Sequence, residues 1–98
     1  MNKSEVLKRL ALFHNELEKY SVKDLYIFGS YARGEAGNES DIDILIDFEP
    51  HAQIGLFAFA KIRRQLCELL DMEVDLVTPD AIRPEMKEEI LQEAVRAA

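Results

Sequence analysis

The sequence has a single cysteine, Cys67, and no long hydrophobic run. One cysteine excludes an internal disulfide and is typical of proteins from a reducing compartment. The N-terminal segment carries charges among its apolar residues, and no apolar stretch elsewhere approaches the length of a membrane-spanning helix. From these absences we expect a cytoplasmic protein without membrane contact.

Positive charge is also scarce, with 12 Lys and Arg residues against 19 Asp and Glu residues and a formal charge of −7. Proteins that neutralise nucleic-acid phosphates carry an excess of basic residues, so we expect no direct nucleic-acid binding. An acidic protein suits anionic ligands that arrive together with metal cations. The length of 98 residues and the 48% hydrophobic content predict one folded domain over residues 1–98.

Apolar residues that recur every three or four positions predict three long helices. The first covers residues 4–20 and is capped near Ser4. The second runs over Leu56–Leu70. The third opens at Pro84, a favourable first helical position, and continues through Val95. Its inward-facing residues are Met86, Ile90 and Ala94.

Short β-prone segments predict three strands, at residues 24–28, 41–48 and 72–78. The Gly29-Ser30 dipeptide ends the first strand, because it is a natural turn. A short helix is predicted over residues 31–35 and a loop over residues 37–40. The order of these elements indicates an α+β fold in which helices cover a small sheet.

The second strand has two different faces, because residues two apart on a strand point the same way. One face is wholly apolar and consists of Ile42, Ile44, Ile46 and Phe48. The other carries Asp41 and Asp43 near its start, Leu45 in its middle and Asp47 near its end. Like charges two positions apart repel each other unless a cation lies between them. These acids are therefore either an ordinary solvent face or part of a cation site, and we interpret Asp47 as solvent-facing.

The third strand carries one acid, Asp75, on the face opposite Val74 and Leu76. Taken alone, Asp75 would be a solvent-facing strand residue. If the second and third strands are neighbours, Asp75 joins Asp41 and Asp43 on one surface. Three carboxylates there would fit Mg²⁺, which prefers oxygen ligands and completes its shell with water and phosphates.

The Gly29-Ser30 turn precedes the acidic strand and suits a phosphate. Glycine lets the backbone approach a ligand closely, and the Ser30 hydroxyl adds one hydrogen-bond donor. Arg33, three residues later, either reaches a triphosphate or forms a surface ion pair with Glu35 or Glu39.

Taken together, these residues resemble the G-S-x10-D-x-D signature of the polymerase-β-like nucleotidyltransferases: Gly29-Ser30, ten intervening residues, and Asp41-x-Asp43. The flanking segments Ala32–Gly34, Ser40–Phe48, Gly55–Phe57 and Val74–Ile82 are similar to the minimal nucleotidyltransferase branch. The resemblance implies a polymerase-β-like fold, with a small mixed sheet and helices packed on one face. That branch commonly supplies the antitoxin of modules whose toxin is a HEPN-domain ribonuclease.

The resemblance also implies a role for each site residue. Gly29 and Ser30 would contact the nucleoside triphosphate. Asp41 and Asp43 would bind both of two Mg²⁺ ions that accompany ATP, with Mn²⁺ as a substitute. Asp75 would ligate the catalytic metal and assist deprotonation of the acceptor. Many members add a short strand after the last helix, whereas this chain ends in "AVRAA" and is expected to lack it.

The implied reaction is transfer of AMP from ATP to a hydroxyl, with a tyrosine of a cognate HEPN-type toxin as the acceptor. The protein would then act as an antitoxin and form a hetero-oligomer with the toxin. One alternative is an antitoxin that binds nucleotide and neutralises its partner by docking alone, which the three clustered acids disfavour. The other is a small-molecule nucleotidyltransferase, which the absence of a second enclosing domain disfavours.

Overall fold

A computed structural model describes residues 1–35 and 41–97, so the loop predicted over residues 37–40 lies outside the described residues. The helices are α1 (Lys3–Leu12), α2 (His14–Lys19), α3 (Gly29–Arg33), α4 (Leu56–Leu70) and α5 (Pro84–Glu93), and the strands are β1 (Val22–Phe28), β2 (Ile42–Phe48), β3 (Val74–Val77) and β4 (Val95–Arg96). A single 3₁₀ turn, Pro79–Ala81, follows β3. Across the described ranges, none of these helices has the length and apolar composition needed to cross a lipid bilayer.

The N-terminal helix is divided in two, where the sequence predicted one. The amide of Phe13 donates to the carbonyl of Leu10 at 3.1 Å. This bond joins residues three apart, as in a 3₁₀ turn, rather than four apart as in an α-helix, and α1 ends there. The prediction of a cap near Ser4 is also wrong. The cap is Asn2, whose Oδ1 accepts the Glu5 N–H at 2.9 Å, because asparagine satisfies a free amide at a helix start.

The four strands form one mixed sheet in the order β3-β2-β1-β4. β1 is antiparallel to both β2 and β4, whereas β2 and β3 are parallel. A parallel pair needs a crossover connection, which α4 supplies between β2 and β3. The predicted small mixed sheet is confirmed.

The hydrophobic core lies between one face of this sheet and the helices. Ile42, Ile44 and Ile46 of β2 have no exposed surface. The helical residues packed in the same cluster come mainly from α1, α2 and α4: Val6, Leu10, Leu17, Ile62, Leu66 and Leu70. The apolar face of β2 is therefore covered by helices, as its alternation predicted.

The C-terminal segment differs from the sequence prediction. α5 ends at Glu93 rather than at Val95, and residues 95–96 form β4 beside β1. Next to β4, the Ala97 amide donates to the Leu25 carbonyl at 2.7 Å. The expectation that the chain lacks a final strand is wrong, because β4 pairs with backbone groups of β1 that would otherwise have no strand partner on that side.

The predicted inward face of α5 is only partly correct. Ile90 is buried, but Met86 is 46% exposed. α5 packs against α3 near its C-terminal end, where Glu93 contacts Gly29. Met86 lies in the first turn, away from that contact, and remains in solvent.

Candidate active site

Asp43 of β2 lies between two neighbours that the sequence singled out separately. Its register partner on β1 is Phe28, the last residue before Gly29, and its partner on β3 is Asp75. β3 is thus a neighbour of β2, which is the condition on which the grouping of the acids depended. The sheet brings the glycine turn and two carboxylates to one point.

The carboxyl groups at this point differ in exposure. Asp43 is half-buried, while Asp75 and Asp41, which directly precedes β2, are exposed. Burial raises the pKa of Asp43, and the charge of Asp75, a hydrogen bond with Asp75 and the charge of Asp41 raise it further, against a weaker opposite effect of Arg33. Asp43 is therefore costly to ionise in the absence of a cation.

These acids have the chemistry of a Mg²⁺ site without being a complete one. Within residues 1–35 and 41–97, no three His, Cys, Asp or Glu side chains are grouped closely enough to hold a metal ion by themselves. The pair of Asp43 and Asp75 nevertheless fits a divalent cation, because a cation would relieve their repulsion. Mg²⁺ commonly binds one or two carboxylates and takes its other ligands from water and substrate phosphates.

Gly29 cannot be replaced without disturbing Asp43. Its φ of +71° lies in the left-handed region that favours glycine. A Cβ at this position would overlap Oδ2 of Asp43 and lie 3.1 Å from its Cγ. Gly34 also has a positive φ, +74°, but a Cβ there would meet nothing within 4 Å. The close approach to an acid is thus a property of the Gly29 turn.

Arg33, at the end of α3, is held by two carboxylates. Its Nε donates to Glu35 at 3.0 Å and its Nη1 to Glu93 at 3.1 Å. The hydrogen bond with Glu35 raises the pKa of Arg33 most, and the one with Glu93 raises it further. The predicted pair with Glu35 is present, and Glu39, the other predicted partner, lies outside the described residues.

Glu93 is the residue at this site that sequence reasoning missed. Besides Arg33, its carboxylate accepts the backbone N–H of Gly29 at 3.0 Å. The available signal was its place three residues after the buried Ile90, which puts an acid on the inward side of α5.

Asp47 is not brought to this group. It lies four residues beyond Asp43 in β2 and faces Asp24 of β1 in the sheet register. It is partly exposed, in keeping with its interpretation as a solvent-facing residue.

The comparisons with known proteins agree with this geometry. The model of the nucleotidyltransferase domain family matches residues 7–97. The chain therefore belongs to that family, in its minimal branch, whose enzymes are typically metal-dependent. It is 42% identical over 94 residues to MJ0126 of Methanocaldococcus jannaschii, named as a candidate protein adenylyltransferase, covering 94% of each chain. It is 38% identical over 78 residues to the protein adenylyltransferase MntA of Thermococcus cleftensis, covering 80% of this chain and 77% of MntA.

Solved structures show the same fold. One described as a candidate minimal nucleotidyltransferase superimposes with a TM-score of 0.81 at 30% identity, covering 97% of this chain and 95% of that one. A complex of a tri-AMPylated HEPN toxin of Shewanella oneidensis with an MNT antitoxin matches with a TM-score of 0.58 at 21% identity, covering 91% of this chain and 71% of that one. The second likeness concerns the fold alone.

Proposed function

We propose that this chain is a Mg²⁺-dependent protein adenylyltransferase that transfers AMP from ATP to a tyrosine of a HEPN-type toxin and thereby acts as an antitoxin. The observation that carries the proposal is the position of Asp43 between the Gly29 turn and Asp75. The similarity to a named protein adenylyltransferase supports the reaction, and the AMPylated toxin in a complex of the same fold supports the acceptor.

Each residue has a defined task in this reaction. The backbone of Gly29 and the hydroxyl of Ser30 hold the triphosphate. Asp41 and Asp43 would hold both cations that accompany it, and Asp75 would ligate the catalytic cation and assist deprotonation of the acceptor hydroxyl. The acceptor oxygen bonds to the α-phosphorus as the bond to pyrophosphate breaks, so the protein contributes mainly positioning and electrostatic stabilisation.

The cofactor we assign is a pair of Mg²⁺ ions, with Mn²⁺ as a substitute. Such ions lower the pKa of an attacking hydroxyl and neutralise charge on the leaving oxygens. Asp43 fits this role because the attraction of a neighbouring cation would offset the burial and the like charge that raise its pKa.

The exposed position of the acids explains why a partner is needed. Asp41 and Asp75 face solvent, where electrostatic stabilisation is weak. A docked toxin would exclude water from the site while presenting its own tyrosine. Leu56 and Phe57, at the start of α4, are 80% and 91% exposed and offer apolar contact area for such a partner.

The experiment is to incubate a purified cognate HEPN-type toxin with this protein, ATP and Mg²⁺, and to weigh the toxin by intact mass spectrometry. We expect the toxin to gain one or more AMP groups. With Asp43→Asn, transfer should fall by about a hundred- to a thousandfold, because a group that stabilises charge in the transition state is lost.

The matched control is Asp47→Asn, which makes the same chemical change on the same strand away from the site. We expect Asp47→Asn to transfer AMP at nearly the wild-type rate. Near-normal transfer by Asp43→Asn would remove the catalytic assignment. A toxin that gains no nucleotide mass, yet is fully neutralised by Asp43→Asn, would establish the docking antitoxin instead.

A further inference from the structure

The carboxylate of Glu93 joins the two ends of α3. Its Oε1 accepts the backbone N–H of Gly29 at 3.0 Å, and its Oε2 accepts Nη1 of Arg33 at 3.1 Å. The Glu93 side chain is 22% exposed, so this contact is partly shielded from water. One side chain at the end of α5 thus binds a backbone donor and a guanidinium that lie close together in space.

The proposed function gives the Gly29 backbone to the triphosphate, and the sequence offers Arg33 as a second contact to the same ligand. The Gly29 amide has a single hydrogen, and the carboxylate already accepts it at a normal hydrogen-bond distance. Carboxylate and phosphate oxygens are equivalent kinds of acceptor for such donors. A phosphate oxygen that binds Gly29 must therefore replace the Glu93 oxygen.

The charge of the surroundings favours replacement over coexistence. Arg33 is already paired with Glu35 as well as Glu93, and Asp43 lies directly beside Gly29. A triphosphate entering with Glu93 in place would add like charge next to these carboxylates. Glu93 is the last residue of α5 and has a long side chain, so its carboxylate can rotate away without unfolding the helix.

We propose that Glu93 is an internal competitor of the nucleotide. Its carboxylate accepts the Gly29 N–H and the Arg33 guanidinium until the triphosphate displaces it. This inference rests on the proposed function, because it assumes that nucleotide binds at the Gly29 turn. In this role Glu93 has two effects. It holds Gly29 and Arg33 in place in the nucleotide-free protein, and it lowers the affinity for nucleotide below what the Gly29 and Arg33 donors would give without a competitor. Displacement also releases a contact that ties α5 to the site.

The test is the dissociation constant of α,β-methylene ATP with Mg²⁺, measured by calorimetry on the full chain. This analogue is chosen because the bond broken in adenylyl transfer is the one between the α- and β-phosphates. For Glu93→Ala we expect binding about tenfold tighter, as expected when one competing hydrogen bond to a charged group is removed. Glu93→Gln should fall between Glu93→Ala and wild type, because the amide oxygen still accepts the Gly29 N–H but has no charge.

The matched control is Glu89→Gln, an exposed residue one turn earlier in α5. It removes the same charge without touching Gly29 or Arg33, so its dissociation constant should stay within about twofold of wild type, as usual for a surface substitution. The melting temperature without nucleotide is measured in parallel, and Glu93→Ala should lower it. A purely structural residue would also lower the melting temperature, but its loss would not tighten binding.

The outcomes separate the inference from the proposed function. If wild type binds the analogue and the Glu93 variants bind it equally or more weakly, the competitor role is overturned while the nucleotide site remains. If neither wild type nor any Glu93 variant binds it, both are overturned. Should Glu93→Ala fail to fold, the isosteric Glu93→Gln decides the same question by the direction of its change.

Discussion

The two faces of β2 have opposite effects on stability. On one face, Ile42, Ile44 and Ile46 are completely buried beneath the helices, and burying a side chain of this size contributes about 1.5–3 kcal/mol. On the other face, Asp43 lies half-buried beside Asp75, and burial together with like charge raises its pKa. The apolar face holds the fold together. The carboxylates of Asp41, Asp43 and Asp75, which we call the acidic face, cost stability in the absence of a cation, and the proposed Mg²⁺ site would account for their arrangement.

The largest expected effect comes from breaking the apolar face with Ile44→Ala. Ile44 has no exposed surface and lies in the main core cluster, so the change leaves a cavity. We expect the free energy of unfolding to fall by about 2–4 kcal/mol in urea denaturation. Leu12→Ala is the control, since Leu12 is 85% exposed and its truncation should cost less than about 0.5 kcal/mol. Equal losses in the two variants would contradict the packed face.

The acidic face is tested sterically by comparing Gly29→Ala with Gly34→Ala. Both glycines have a positive φ, so each substitution should cost about 1–2 kcal/mol of stability from backbone strain. At Gly29 the new Cβ also displaces the carboxylate of Asp43, whereas at Gly34 it enters open space. We therefore expect AMP transfer to drop sharply in Gly29→Ala and to persist in Gly34→Ala. Similar AMP transfer by both variants would show that Gly29 is not part of the active site.

A smaller effect is expected from Ser30→Ala, at the residue that follows Gly29 in α3. Removal of the hydroxyl should weaken nucleotide binding or transition-state binding by about 1–2 kcal/mol, as for one hydrogen bond to a charged group. Calorimetry with Mg²⁺ and the ATP analogue, together with turnover, measures this loss. Ser4→Ala, at an exposed position in α1, is the control. If Ser30→Ala matches wild type in both measurements, its phosphate role is wrong.

The smallest effect is a gain of stability from Asp43→Asn without divalent metal. Because the folded-state pKa of Asp43 is raised, its neutral form is favoured in the native protein. The associated stability is present below the ordinary carboxyl pKa and is lost as pH rises through the folded pKa. Asparagine imitates the neutral form of the carboxyl group. The melting temperature of Asp43→Asn should therefore exceed that of wild type at pH 7, by a few degrees at most.

Two further measurements sharpen this last prediction. At acid pH, below the usual carboxyl range, the difference between Asp43→Asn and wild type should vanish. Added Mg²⁺ with ATP should stabilise wild type more than the variant. A variant that is less stable than wild type at pH 7 in metal-free buffer would contradict the view that the acidic face carries a cost.

The sequence by itself determined the two faces of β2, the extent of α4 and the end of β1 just before Gly29. All three depend on local periodicity or on one local turn, which are properties of neighbouring residues. The same local signals failed at the ends of elements. Asn2 rather than Ser4 caps α1, and α5 ends at Glu93 rather than at Val95. Competing caps and strand pairing decide where a helix stops.

Tertiary structure alone decided which residues meet. The pairing of Asp43 with Asp75 required β3 to lie parallel to β2 in one register, and β4 required a free side of β1. Glu93 reaches Gly29 across 64 positions of sequence. A periodic pattern states which way a side chain points, but not which distant strand or helix it faces, because that depends on the path by which the whole chain buries its apolar surfaces.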